Sequence, residues 1–125
     1  MHARPAIATA APQAHVGGDG LRARSECCSL YHHAVELIGK RWSGAILGVL
    51  LDGPLRFSEI RALVPDISDR LLSERLKELE AEGLVERHVL DEHPVGVEYR
   101  LTPKGEALEP AVQALKRWAR AWLPH

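Results

Sequence analysis

Apolar residues recur at helical spacing four times before the pattern of the chain changes. Leu30, Ala34, Leu37 and Ile38 share one face over residues 29–38, and Gly39 ends that helix or bends its exit. Ile46, Leu47, Leu50 and Leu51 repeat the pattern behind Ser43, which is placed to cap them, and Asp52-Gly53-Pro54 stops the run. Phe57, Ile60 and Leu63 predict a third, short helix with a buried face over residues 56–63. Val64-Pro65-Asp66-Ile67 then turns the chain, because a residue before proline avoids helical geometry. Ser68 caps a fourth helix, with Asp69 near its positive end and Leu71, Leu72, Leu76 and Leu79 facing inward. Glu82-Gly83 ends it, with Gly83 suited to a left-handed cap.

The period then changes to two. Residues 84–90 have strand character with imperfect alternation, while Val97-Glu98-Tyr99-Arg100-Leu101 alternates cleanly and predicts the partner strand. Residues 91–96, with Pro94 among them, become the tip of the ribbon. Thr102-Pro103 predicts a cap and a first helical residue for a last helix that runs to about Leu123 and kinks at Pro110. Helix, helix, turn, helix and a two-stranded ribbon make an α+β, mainly helical chain with the order of a winged helix-turn-helix. The helix before the ribbon in that fold usually enters a DNA groove.

Composition qualifies this picture. The 125 residues suit one domain with a modest core, and 46% are apolar. Formal net charge is only -1, so the chain cannot hold DNA by bulk charge and must rely on local placement. Between positions 52 and 82, acidic Asp52, Glu59, Asp66, Asp69, Glu74, Glu78, Glu80 and Glu82 outnumber Arg56, Arg61, Arg70, Arg75 and Lys77. Residues 1–26, rich in Ala, Gly and Pro around Gly17-Gly18-Asp19-Gly20, read as a mobile tail, leaving 27–125 as the domain. The alanine-rich start, broken by Pro12, lacks a signal core, and no segment is long enough to span a membrane. A soluble, cytoplasmic protein is the expectation. Nothing resembles a nucleophile elbow, a phosphate loop or paired catalytic carboxylates, so no enzyme and no cofactor are expected.

Five segments carry a resemblance: Leu37-Ile38-Gly39-Lys40-Arg41-Trp42, Arg56-Phe57-Ser58-Glu59-Ile60, Leu72-Ser73-Glu74-Arg75-Leu76-Lys77-Glu78-Leu79, Gly83-Leu84-Val85 and Val97-Glu98-Tyr99-Arg100-Leu101-Thr102. In this order they resemble the HxlR-type bacterial winged-helix transcription regulators, a branch near the MarR-type proteins. The resemblance covers residues 29–122. It implies a homodimer on a pseudo-palindromic operator of double-stranded DNA, with N- and C-terminal helices forming the dimer interface.

The helix over residues 68–82 is then the reader, since a helix fits the major groove and its N-terminal half meets base edges. Arg70 can fork onto guanine or phosphate, Ser73 can take either partner, and Glu74 can accept from cytosine. Arg75 and Lys77 read as phosphate clamps, while Glu78, Glu80 and Glu82 should face away. Ser43, Ser58 and Ser68 lie at helix starts, where capping and phosphate contact are compatible, and Arg56 beside Ser58 favours the phosphate. On the ribbon, Arg87, His88, His93 and Arg100 are the polar candidates. Gly96 departs from the resemblance, which places a basic residue just before Val-Glu-Tyr, and Asp91 and Glu92 are acidic.

The resemblance also brings in a switch, since several members of that family sense oxidants or electrophiles through a cysteine before the first helix. Cys27 and Cys28 lie in that region, although counting back from Trp42 puts the family position on Ser29. Adjacent cysteines do not form an ordinary staple, so an intersubunit disulfide is the easier product. The plain alternative is a pair of small unreactive residues near the interface. Cys28 and His32, four apart, are the one metal-like spacing; His32-His33 diverge, and no metal site is expected. Trp118 and Trp122 share a helix face with Leu115 and Ala111. With Leu30, these predict a dimer seam or the wall of a small-molecule effector pocket. A winged helix used only for protein association is the other class of function, and it separates from a DNA reader by where Arg56, Arg70, Arg75 and Lys77 end up.

Overall fold

The computed structural model describes residues 18–125. The chain divides into two units, the first ending at Glu36 and the second spanning Leu37–His125. Helix α1 runs Gly18–Gly39, so it begins eleven residues before the predicted position 29. No proline and no β-branched residue stands between Leu21 and Tyr31, so nothing interrupts the helix there. The predicted tail is therefore helical from Gly18 on, and the rest of it lies outside the described residues. Gly39 closes α1 as expected. Leu30, Tyr31 and Val35 are exposed on the first unit.

In the second unit, α2 (Ser43–Leu50) starts differently from the expectation. The capping position is Trp42, in the left-handed region at φ 78°. The Ser43 N–H donates to the Lys40 carbonyl at 3.0 Å and the Ile46 N–H to the Trp42 carbonyl at 3.0 Å. Ser43 thus becomes the first helical residue and is buried, 2% exposed. The Arg41 guanidinium lies 5.0 Å from the Trp42 ring centroid. Gly53, at φ 139°, turns the chain after α2.

Strand β1 is only Leu55–Arg56, and α3 follows as Phe57–Leu63. The Glu59 carboxylate accepts from the Arg56 N–H at 2.7 Å, so Arg56 is a cap residue rather than a helical one. Leu63 is exposed, contrary to the predicted burial, because Ile60 and Val64 take the core-facing positions four apart. Helix α4 (Asp69–Ala81) is capped by the Ser68 hydroxyl, which accepts from the Leu71 N–H at 3.1 Å, and Gly83 follows at φ 78°.

Strands β2 (Val85–Leu90) and β3 (Gly96–Leu101) form the wing, and β3 lies between β1 and β2 in an antiparallel sheet. The register pairs Val85 with Leu101, Leu90 with Gly96 and Arg56 with Glu98. Short helix α5 (Pro103–Glu106) is capped by the Thr102 hydroxyl, which accepts from the Gly105 N–H at 3.1 Å. A Cβ at Gly105 would run into the Leu84 carbonyl, so that close approach requires glycine. The predicted single last helix is in fact broken. Helix α6 is Glu109–Trp122, and Pro110 sits in its first turn, where proline starts a helix instead of kinking one.

One core joins α2, α3, α4 and the wing. Ile46, Leu47 and Leu50 of α2 meet Ile60, Val64 and Ile67, the α4 stripe Leu72, Leu76 and Leu79, and Leu84, Val85 and Leu101 from the wing. Fully burying a leucine contributes about 1.5–3 kcal/mol. The α4 stripe therefore fixes which face of that helix is left outside. No described helix is long and apolar enough to cross a membrane.

Candidate nucleic-acid interface

Burying Leu72, Leu76 and Leu79 turns Arg70, Ser73 and Lys77 to the opposite side of α4, three and four residues apart on one stripe. Arg70 stands in solvent, its side chain 90% exposed and its Nε 3.3 Å from Glu74 Oε2. Ser73 and Lys77 line a cleft of about 350 Å³ together with Phe57, Arg87, Val97 and Tyr99. This brings the α4 stripe beside Arg87 on β2. Glu80 lines the same cleft at the C-terminal end of the stripe. Phe57 and Tyr99, which hold the aromatic side of the cleft, gave no functional signal in the sequence because Phe57 falls on the apolar face of a short helix and Tyr99 in an alternating strand.

Two residues expected to contact phosphate, Arg75 and Arg56, are paired with groups of the chain itself. The Arg75 side chain is 12% exposed; its Nε donates to the Arg41 carbonyl at 2.9 Å and its Nη1 lies 3.3 Å from Glu78 Oε1. Lys40 Nζ reaches the same carboxylate at 3.0 Å. Arg75 and Glu78 thus tie α4 to the turn that carries Trp42. Arg56 forks onto Glu92 of the wing turn, Nη1 to Oε1 at 2.6 Å and Nη2 to Oε2 at 2.9 Å. The hydrogen bond and charge of each partner hold the Glu92 carboxyl below its ordinary pKa and raise the Arg56 guanidinium, which also feels Glu59 and Glu98.

The remaining candidates are scattered. Ser58 is exposed on α3, whereas the buried Ser43 hydroxyl cannot meet a backbone phosphate. Ser68 spends its hydroxyl on the cap of α4. His88 Nε2 sits 3.0 Å from Glu86 Oε1, Arg100 Nη2 donates to Glu98 at 2.9 Å, and His93 is exposed at the wing tip. On the first unit Cys28 is an exposed free thiol; the side chain of Cys27 lies outside what is described. His32, four residues on, has Nε2 3.4 Å from Glu36 Oε2. On α6, Leu115, Trp118 and Trp122 are exposed at 62%, 53% and 75%, and Ala111 is exposed in line with them.

A capped helix with an outward polar stripe, seated on a buried leucine stripe and followed by a two-stranded wing, defines the winged helix-turn-helix class. Residues 37–125 match the HxlR-like helix-turn-helix family, and the chain belongs to it. It is 52% identical over 92 residues to the HTH-type transcriptional regulator YodB of Bacillus subtilis, covering 74% of this chain and 82% of YodB. It is 50% identical over 100 residues to YvaP, an HTH-type transcriptional regulator of the same organism, covering 80% of this chain and 93% of YvaP. The reduced form of YodB superposes with a TM-score of 0.67 at 51% identity over 74% of this chain and 90% of YodB. The oxidised form of the redox regulator HypR gives 0.72 at 38% identity over 76% and 98%. YodB has also been solved diamide-treated and quinone-bound.

Proposed function

We propose that the protein works in the cytoplasm as a homodimer on a pseudo-palindromic operator, reading each half-site with α4, and that thiol chemistry at the start of the chain switches it. The observation that carries the reading is the Arg70-Ser73-Lys77 stripe beside Arg87, opposite a fully buried leucine stripe. Arg70 near the helix N-terminus is the base reader, Ser73 and Glu74 are its polar neighbours, and Lys77 and Arg87 hold phosphates. Pairing of two copies is supported by α6, none of whose residues is buried although Leu115, Trp118 and Trp122 align along it. Leu30 and Tyr31 of α1 offer a second uncovered apolar patch.

The switch reading rests on the exposed thiol of Cys28 and on YodB and HypR, which have been solved in differently oxidised forms. Two Cys28 thiols from two copies would lose two protons and two electrons to diamide, giving an intersubunit disulfide and the reduced hydrazine. The test is retention of genomic fragments by the purified protein, followed by anisotropy on a retained duplex over a salt series. Salt-dependent binding that diamide changes in wild type but not in Cys27→Ser/Cys28→Ser supports both halves of the proposal. Indifference to diamide removes the switch alone. No salt-dependent binding removes DNA reading and leaves a protein-association module.

A further inference from the structure

The Arg56–Glu92 fork joins residues far apart in the chain. Arg56 is set on β1 by pairing opposite Glu98 of β3. Glu92 is set in the wing turn, where its N–H donates to the Leu90 carbonyl at 3.0 Å. The two terminal guanidinium nitrogens each donate to one carboxylate oxygen, at 2.6 and 2.9 Å, which is the geometry an arginine uses on a phosphate. Gly96 makes the space. A Cβ there would stand 2.6 Å from Glu92 Oε1 and 2.9 Å from Arg56 Nη1, so a side chain at this position and an undisturbed fork exclude each other.

We propose that Glu92 is a resident stand-in for a DNA phosphate, latching the wing to Arg56 in the free protein until a phosphodiester displaces it. This rests on the DNA-binding reading above. While the latch holds, the pair offers the DNA backbone no net charge, and one potential phosphate contact is lost. Exchange is feasible because the fork is solvent-exposed, and exposed ion pairs are weak and screened by salt. Gly96, where the resemblance expects a basic residue, is the position that permits the latch instead of adding a contact of its own.

The probe is a random-sequence duplex of about 30 base pairs, titrated with the full-length chain over a salt series. Glu92→Gln frees Arg56 by neutralising its partner. Gly96→Ala pushes the Glu92 carboxylate and the Arg56 tip out of their present positions without changing any charge, and the glycine has no positive φ to make alanine strained. Each should tighten binding about fivefold to tenfold at about 0.1 M salt and steepen the log–log salt slope by about 0.9, the contribution of one added phosphate contact. Neither should do so in an Arg56→Ala background. The latch is overturned if Glu92→Gln gains as much without Arg56 as with it, or if a folded Gly96→Ala binds like wild type. Should Gly96→Ala fail to fold, the Glu92→Gln comparison with and without Arg56 decides. Absence of salt-dependent binding by wild type overturns the DNA-binding reading itself, a result distinct from either.

Discussion

Replacing Arg75 by alanine separates a structural arginine from a phosphate clamp. Its Nε bond to the Arg41 carbonyl spans 34 residues and restrains the peptide just before Trp42, which holds φ 78°. A hydrogen bond from a charged donor contributes roughly 1.5–3 kcal/mol, and a non-glycine residue held left-handed costs of order 1–3 kcal/mol unless its surroundings enforce it. The side chain is 12% exposed, so solvent screens little of the bond. Arg75→Ala should therefore destabilise the fold by about 2 kcal/mol, which lowers the melting temperature of a small domain by on the order of 10 °C. Thermal unfolding followed by circular dichroism measures this, and a salt series on folded protein measures DNA binding in parallel. The expected pair of results is a clear fall in melting temperature with an unchanged salt slope. An unchanged melting temperature together with a slope reduced by about one contact would show that Arg75 faces phosphate and that the internal clamp is wrong.

Other perturbations follow from the same geometry. Lys77→Ala should give the opposite result, leaving the melting temperature alone and flattening the salt slope by about 0.9, read by anisotropy. Leu76→Ala, at 1% exposure beneath the reading helix, should cost about 2–5 kcal/mol in denaturant unfolding. Trp118→Ala with Trp122→Ala should shift sedimentation from dimer to monomer with little loss of monomer helicity; an unchanged dimer would place the seam elsewhere. Because the folded pKa of Glu92 is depressed, its pairing with Arg56 is complete above the ordinary glutamate value and is lost as pH falls through the lowered one. The Glu92 carboxyl resonance, followed by NMR from neutral to acid pH, should therefore titrate below the ordinary glutamate value, and in Arg56→Ala that lowering should be lost.

Much of the fold was legible because local chemistry and tertiary packing agree. Ser68 and Thr102 cap the helices they precede, Gly83 takes the left-handed cap, and the leucine stripe of α4 is the core. The misses have physical reasons. β1 is two residues long, too short to show a period, and exists only through Tyr99 and Glu98. Ser43 looks like a cap but is displaced by the turn closed between its own N–H and Lys40. Leu63 loses its place to Val64, one position on, and Pro110 starts a helix where it was expected to kink one. The site was half legible for a related reason. Which face Arg70, Ser73 and Lys77 occupy follows from helical period alone. What Arg75 and Arg56 touch depends on Arg41 and Glu92, 34 and 36 residues away, and no local pattern announces such partners.

The claim beneath all of this is that Arg70 reads a base while the α4 leucines hold it in place. Selection of bound sequences from a random duplex library, run side by side with wild type and Arg70→Ala, tests it directly. The account predicts two symmetric half-sites for wild type and, in the variant, lost preference at one matching position of each, with about 1–3 kcal/mol less discrimination there. Identical preferences from both proteins would contradict it.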